Sequence, residues 1–120
     1  MNKILLTLIL VIIIYGTYKI YQQVNIAKDL DRLVAKGAII LDVRTSKEFS
    51  EGHINNAINM SLGSIRERYI ELDTSKIYIT CCSHGLRSIK AVNLLKERGI
   101  KKVYNGGVWS DLEEIINENK

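Results

Sequence analysis

The sequence predicts an α/β fold, a central parallel sheet flanked by helices and preceded by one N-terminal hydrophobic helix. From residue 25 onward, short apolar runs of strand length alternate with stretches of helical period, the pattern of parallel strands joined by helical crossovers. Before that, residues 4–15 (ILLTLILVIIIY) hold a single polar side chain, Thr7, and no charge stands between Lys3 and Lys19. The composition, 120 residues with 47% hydrophobic, 25% charged and no proline, suits one small domain and excludes collagen-like, low-complexity and disordered classes.

With Lys3 and Lys19 snorkelling and Ile20 and Tyr21 added, residues 4–21 reach about 27 Å as a helix, close to the ~30 Å of a hydrocarbon core. Tyr15, Tyr18 and Tyr21 recur where such a helix would leave the apolar slab, as an interfacial aromatic belt does. A cleaved signal peptide is the competing reading, and a buried core helix the third. The core is followed by Tyr-Gly-Thr-Tyr-Lys rather than by the small residues of a cleavage site, which favours an uncleaved anchor. Residues 1–24 are therefore expected to be a transmembrane anchor, or uncleaved signal, with a short linker at 22–24, and residues 25–120 the domain. Lys3 faces Lys19 and Lys28 across the span, so the charge bias is small; the signal-like layout points to an extracytoplasmic domain, against the alternative of the cytoplasmic face.

Asn25 can cap a helix running to Lys36, with Ile26, Leu30, Leu33 and Val34 on one face and Gly37 as its stop. Residues 38–41 are an apolar strand, 46–51 a helix, 57–60 a short strand, and 64–72 helical in period. Residues 76–81 (KIYITC) combine β-branched and aromatic side chains and read as a strand. An amphipathic helix over 88–98 is closed by Gly99, residues 102–104 form a last strand, and a C-terminal helix begins near Val108.

Charge and cysteine content narrow the function classes. Seventeen Lys and Arg face thirteen Asp and Glu, and with Lys3 and Lys19 inside the anchor the remainder carries 15 against 13, too mild an excess for nucleic-acid binding. The two cysteines, Cys81 and Cys82, are neighbours, and an adjacent pair closes almost no loop, so a stabilising disulfide is excluded. With His53 and His84 far apart in sequence, the spacing of a structural zinc site is missing too. Thiol chemistry or plain burial remain.

In open parallel sheets, reactive groups sit past the C-terminal ends of strands. Cys82-Ser83-His84-Gly85-Leu86-Arg87 follows the strand ending at Cys81, and Ser88 opens the next helix. A tight loop turning into a helix aims successive backbone N–H groups inward, forming an anion nest reinforced by the helix dipole. A thiolate over such a nest is stabilised and nucleophilic. Arg87 adds a fixed positive charge for an anionic substrate.

Three blocks of residues resemble a known family. Cys82-x-x-Gly85-x-Arg87-Ser88 resembles the active-site loop of single-domain rhodanese-like sulfurtransferases. Residues 40–60, with Asp42-Val43-Arg44, Glu48-Phe49 and Gly52-His53-Ile54, are similar to the first signature of that family. Asn105-Gly106-Gly107-Val108-Trp109 resembles its closing Gly-Gly-x-x-Trp region. The resemblance runs from about residue 26 to residue 114. It implies a rhodanese-like three-layer fold and a sulfurtransferase that forms a persulfide on Cys82. The sulfur would come from a small anionic donor such as thiosulfate and pass to cyanide, a thiol or an acceptor protein. The N–H groups of Ser83, His84, Gly85, Leu86, Arg87 and Ser88 would stabilise the persulfide, with no metal or organic cofactor.

The same letters allow another register. Counted from Cys81, the stretch is Cys-x5-Arg-Ser, the spacing of tyrosine phosphatases and related arsenate reductases. Glycine decides for Cys82, because the phosphatase signature also favours Gly three residues after its Cys, and from Cys81 that position is His84. A non-catalytic binding or redox-sensing module is the third alternative. Cys81 itself, on the opposite strand face from Cys82, is expected to be a small buried hydrophobe rather than a resolving thiol. Asp42, Arg44 and His53 are expected to support the loops by hydrogen bonding rather than to react. Gly106 and Gly107 allow close backbone approach near the loop, Trp109 serves as core or pocket wall, and His84 faces solvent. Lys90, Lys96, Arg98, Lys101 and Lys102 form a solvated basic face that an acidic partner could use.

Overall fold

The computed structural model describes residues 2–119. Helix α1 (Lys3–Val24) is followed by α2 (Leu30–Ala35), β1 (Ile39–Asp42), α3 (Ser46–Ser50), β2 (Ile58–Asn59) and α4 (Ile65–Arg68), then β3 (Tyr78–Cys82), α5 (Leu86–Glu97), β4 (Val103–Val108) and α6 (Trp109–Glu118). The four strands form one parallel sheet in the order β2-β1-β3-β4. The chain winds outward from β1 to β2, then returns to β3 and continues to β4. The direction of winding therefore reverses between β1 and β3, and the crevice at their C-terminal ends is where such sheets hold ligands.

Strand alternation sorts the core into two layers. Leu41, Val43, Tyr78 and Cys82 pack with Ile65, Ala91 and Leu95 on the α4 and α5 side. Ile40, Ile79 and Cys81 pack with Leu30 and Leu112 on the α2 and α6 side. The two cysteines thus face opposite layers, as the two-residue period of a strand requires.

Several expected boundaries shift for identifiable reasons. The segment 25–29 is not helical, because the Asn105 amide donates to the Asn25 carbonyl at 2.8 Å and Ala27 N–H donates to the Asn105 carbonyl at 2.9 Å, tying this stretch to β4. Asp29 turns through the left-handed region (φ 59°) before α2 begins. The strand expected to end at residue 104 continues to Val108 through a bulge. Thr80 pairs with Asn105 but Cys82 pairs with Val108, so β4 carries one extra residue there, and Gly107 absorbs it at φ +77°. Segment 64–72 splits into α4 flanked by 3₁₀ turns over Leu62–Ser64 and Tyr69–Glu71.

At the N-terminus, residues 22–24, expected as a linker, are the last turn of α1. The helix has 22 residues, about 33 Å at 1.5 Å per residue, and none of its side chains is buried in the domain. It is long and apolar enough to cross a bilayer, as an anchor or a signal sequence would be.

Candidate active site

Cys82 is the last residue of β3 and is 1% exposed. Gly85, at φ +85°, takes the N-cap position of α5, so this helix begins at Leu86, two residues before the expected Ser88. That left-handed turn folds the loop back over the thiol. Gly85 N–H points to Cys82 Sγ at 3.0 Å and Ser88 N–H at 3.4 Å. Of the six expected loop residues, these two aim donors at the sulfur. Ser88 is anchored in turn, its hydroxyl donating to the Gly85 carbonyl and its carbonyl accepting from Thr80 Oγ1 at 3.0 Å.

Arg87 is paired with a carboxylate. Its guanidinium makes a two-pronged pair with Glu48, Nη1 to Oε1 at 2.7 Å and Nη2 to Oε2 at 2.9 Å. Glu48 Oε2 also accepts from the Ser83 hydroxyl at 3.0 Å, while Oε1 accepts from Thr45 N and Oγ1. Arg87, followed by the Thr45 backbone bond, holds the Glu48 carboxyl well below the usual carboxylate range. Glu48 therefore ties α3 to both ends of the Cys82 loop. Sequence reasoning did not single it out as a site residue, although its local signal is legible: Thr45-x-x-Glu48 is a capping box, and both of its reciprocal bonds are made.

The C-terminal end of β1 supports this arrangement from below. Asp42 and Arg44 form a buried ion pair, Nη2 to Oδ2 at 2.7 Å and Nε to Oδ1 at 2.9 Å, with side-chain exposures of 0% and 5%. Arg44 also donates to the Gly52 carbonyl at 2.7 Å and the Glu48 carbonyl at 3.3 Å, bracketing α3 from beneath. Asn59 clamps the same strand end, donating to the carbonyls of Asp42 and Arg44. Trp109 lies against Arg44, 4.8 Å from guanidinium carbon to ring centroid. With Arg44, Glu48, Glu51, Gly52 and Ser83 it lines a cavity of about 220 Å³ beside the loop.

The remaining expected residues sort by position. His53 is exposed, stacks on Phe49 with ring centroids 3.7 Å apart, and has its Nδ1 at 2.7 Å from the Phe49 carbonyl; this fixes the loop after α3. His84 faces solvent. A Cβ on Gly106 would stand 2.7 Å from Ile79 Cγ2 and 2.8 Å from the Thr80 carbonyl, so close approach of β4 to β3 excludes a side chain there. Cys81 is fully buried, and burial followed by the Asp42 charge pushes its thiol strongly up. This shift disfavours a thiolate at Cys81, whereas Cys82, equally buried, has the two N–H donors at its sulfur.

One residue of the site could not be found by motif. The Gln22 side-chain amide donates to the His84 carbonyl from the last turn of α1, and also to Tyr18 Oη at 3.0 Å.

A doubly wound parallel sheet with an N–H-cradled cysteine at its switch point is the arrangement of the rhodanese-like fold, and comparison with known proteins agrees. The model of the rhodanese-like domain matches residues 26–109, and the chain belongs to that family. It is 29% identical over 104 residues to the thiosulfate sulfurtransferase GlpE of Coxiella burnetii, covering 83% of this chain and 97% of that protein. It is 32% identical over 87 residues to the tRNA sulfurtransferase of Thermoplasma acidophilum, covering 72% of this chain but spanning only 17% of that protein. Among solved structures, reduced CoADR-RHD of Bacillus anthracis superposes with a TM-score of 0.61 at 32% identity, covering 73% of this chain and 16% of the other. Sulfurtransferases are thus among its relatives.

Proposed function

We propose that the protein is a membrane-anchored sulfurtransferase that carries sulfane sulfur as a persulfide on Cys82. The observation that carries this reading is the pair of N–H groups, from Gly85 and Ser88, that converge on Cys82 Sγ. They favour an anionic sulfur and leave the other loop atoms free to hold the loop's shape. Arg87 is paired with Glu48, so the donors closest to the sulfur are the backbone N–H groups of Gly85 and Ser88.

In the first half-reaction the Cys82 thiolate attacks the outer sulfur of a thiosulfate-like donor. The donor S–S bond breaks, sulfite leaves with the bonding pair, and Cys82-S-S⁻ remains over the two N–H groups. In the second, cyanide or a thiolate attacks the terminal sulfur. The persulfide bond breaks, the product leaves as thiocyanate or R-S-S⁻, and the Cys82 thiolate is restored. Ser83, His84, Gly85, Leu86, Arg87 and Ser88 shape the loop, and Asp42, Arg44 and His53 support it.

The length of α1 and the Tyr15, Tyr18 and Tyr21 belt support residues 1–24 as a membrane anchor; the signal-like layout of the N-terminus favours residues 25–120, the catalytic domain, lying outside the cytoplasm. Protease accessibility in intact cells tests the side.

The chemistry is tested by peptide mass spectrometry after incubation with thiosulfate, beside Cys81→Ser and Cys82→Ser variants. One added sulfur on Cys82, lost in Cys82→Ser and kept in Cys81→Ser, is the expected result. No added sulfur on either cysteine would overturn thiosulfate as donor.

A further inference from the structure

We infer that the face carrying Cys82 is apposed to the lipid headgroup layer, so that whatever exchanges sulfur with Cys82 reaches it through the membrane interface. The inference rests on α1 being a membrane anchor. Four observations support it. First, α1 runs unbroken to Val24 and has no buried residue, so it projects from the domain instead of lying along it. Second, it leaves the domain at the reactive loop. Gln22 joins Tyr18 Oη to the His84 carbonyl, and the Asn105 amide holds the Asn25 carbonyl immediately after the helix. Third, Gln22 is one residue beyond Tyr21, the last ring of the aromatic belt, which places the loop at the level where such belts meet headgroups. Lys19, Gln22, Gly85, Gly107 and Asp111 line one small cavity of about 120 Å³, so a belt-level lysine and the Cys82 loop share a wall. Fourth, Leu86, in the first turn of α5 beside this junction, is 41% exposed, which puts an apolar side chain at the rim where the interface would take it up.

A tether with a flexible linker would let the domain tumble and present any face to the bilayer. Here the helix continues into the domain and is hydrogen-bonded to the loop beside the nucleophile, so the orientation is set by the fold. The occupant of the exposed surface of α1 and of the loop rim is therefore the bilayer, hydrocarbon around residues 4–21 and headgroups around residues 83–86.

The chain contains its own reporter, because Trp109 is the single tryptophan and sits in the cavity wall with Ser83. The full chain is reconstituted in phosphatidylcholine vesicles carrying a nitroxide either on the headgroup or deep on the acyl chain. Co-flotation with the vesicles is scored in the same samples. The expected result is flotation with Trp109 emission quenched more strongly by the headgroup label than by the deep label. A Gly/Ser insertion between Val24 and Asn25 should keep flotation and abolish most of that quenching. Flotation with no headgroup quenching would overturn the inference and leave the anchor standing; failure to float would overturn both.

Discussion

Replacing Asp42 by Asn probes the ion pair beneath the site and keeps the side-chain shape, so no cavity is created. Asp42 offers Arg44 three contacts, from Nε and Nη2, all inside the protein, and also accepts Arg44 N–H at 3.0 Å. In Asp42→Asn the guanidinium stays buried beside a neutral amide. Its other partners, the Gly52 and Glu48 carbonyls and the Trp109 ring, are uncharged and cannot replace the lost carboxylate. Breaking a buried pair in this way costs about 3–5 kcal/mol. For a domain of this size, roughly 4–8 °C of Tm accompany each kcal/mol, so the melting temperature of the full chain in detergent should fall by roughly 12–40 °C. Persulfide formation on Cys82 should fall as well, because Arg44 holds the backbone of Glu48 and Gly52. The double variant Asp42→Asn/Arg44→Met removes the orphaned charge and should be more stable than Asp42→Asn alone. A single-variant cost under about 1 kcal/mol, or a double variant as unstable as the two singles summed, would refute the assignment of Asp42 as the partner that makes Arg44 tolerable.

Two further outcomes follow from the geometry. Gly106→Ala places a methyl within 3 Å of Ile79, the Thr80 carbonyl and Leu112, and should destabilise by about 1–3 kcal/mol in denaturant unfolding; an unchanged midpoint would mean that β4 can move away from β3. Glu48 has a folded-state pKa depressed by Arg87, so its contribution to stability is present above the unfolded carboxylate value of about 4.3 and is lost only as pH falls toward the depressed folded value. The Tm difference between the parent and Glu48→Gln should accordingly hold steady down to about pH 4 and shrink below it, and a difference that first appears near neutrality would contradict the ion pair.

Strand and helix order were legible because period and turn chemistry are local. The KIYITC run and the Gly99 and Gly37 punctuation placed β3, α5 and the end of α2 within about two residues, and the alternation already sent Cys81 and Cys82 to opposite faces. The departures arise where distant partners compete. Residues 25–29 have a helix-capping pattern, yet hydrogen bonds to Asn105, some 80 positions away, outweigh it. The double glycine at 106–107 stood beyond a strand expected to end at residue 104, whereas in the sheet it is the bulge that lets β4 continue beside β3.

The sequence by itself determined the layer architecture, the family and the cysteine that ends β3, since these follow from periodicity and from motifs a few residues long. Only the tertiary structure decided how the loop's charge is paired and which distant residues bond to it. Arg87 and Glu48 stand 39 positions apart, and Gln22 and His84 stand 62 apart. A spacing of that length carries no periodic signal, so an arginine that reads as a free cation for a substrate stands paired with Glu48. An apolar helix that reads as an anchor with a short linker runs unbroken to Val24 and is hydrogen-bonded to the loop that follows Cys82. Side chains brought together by the sheet crossovers, and not by the chain between them, set both outcomes.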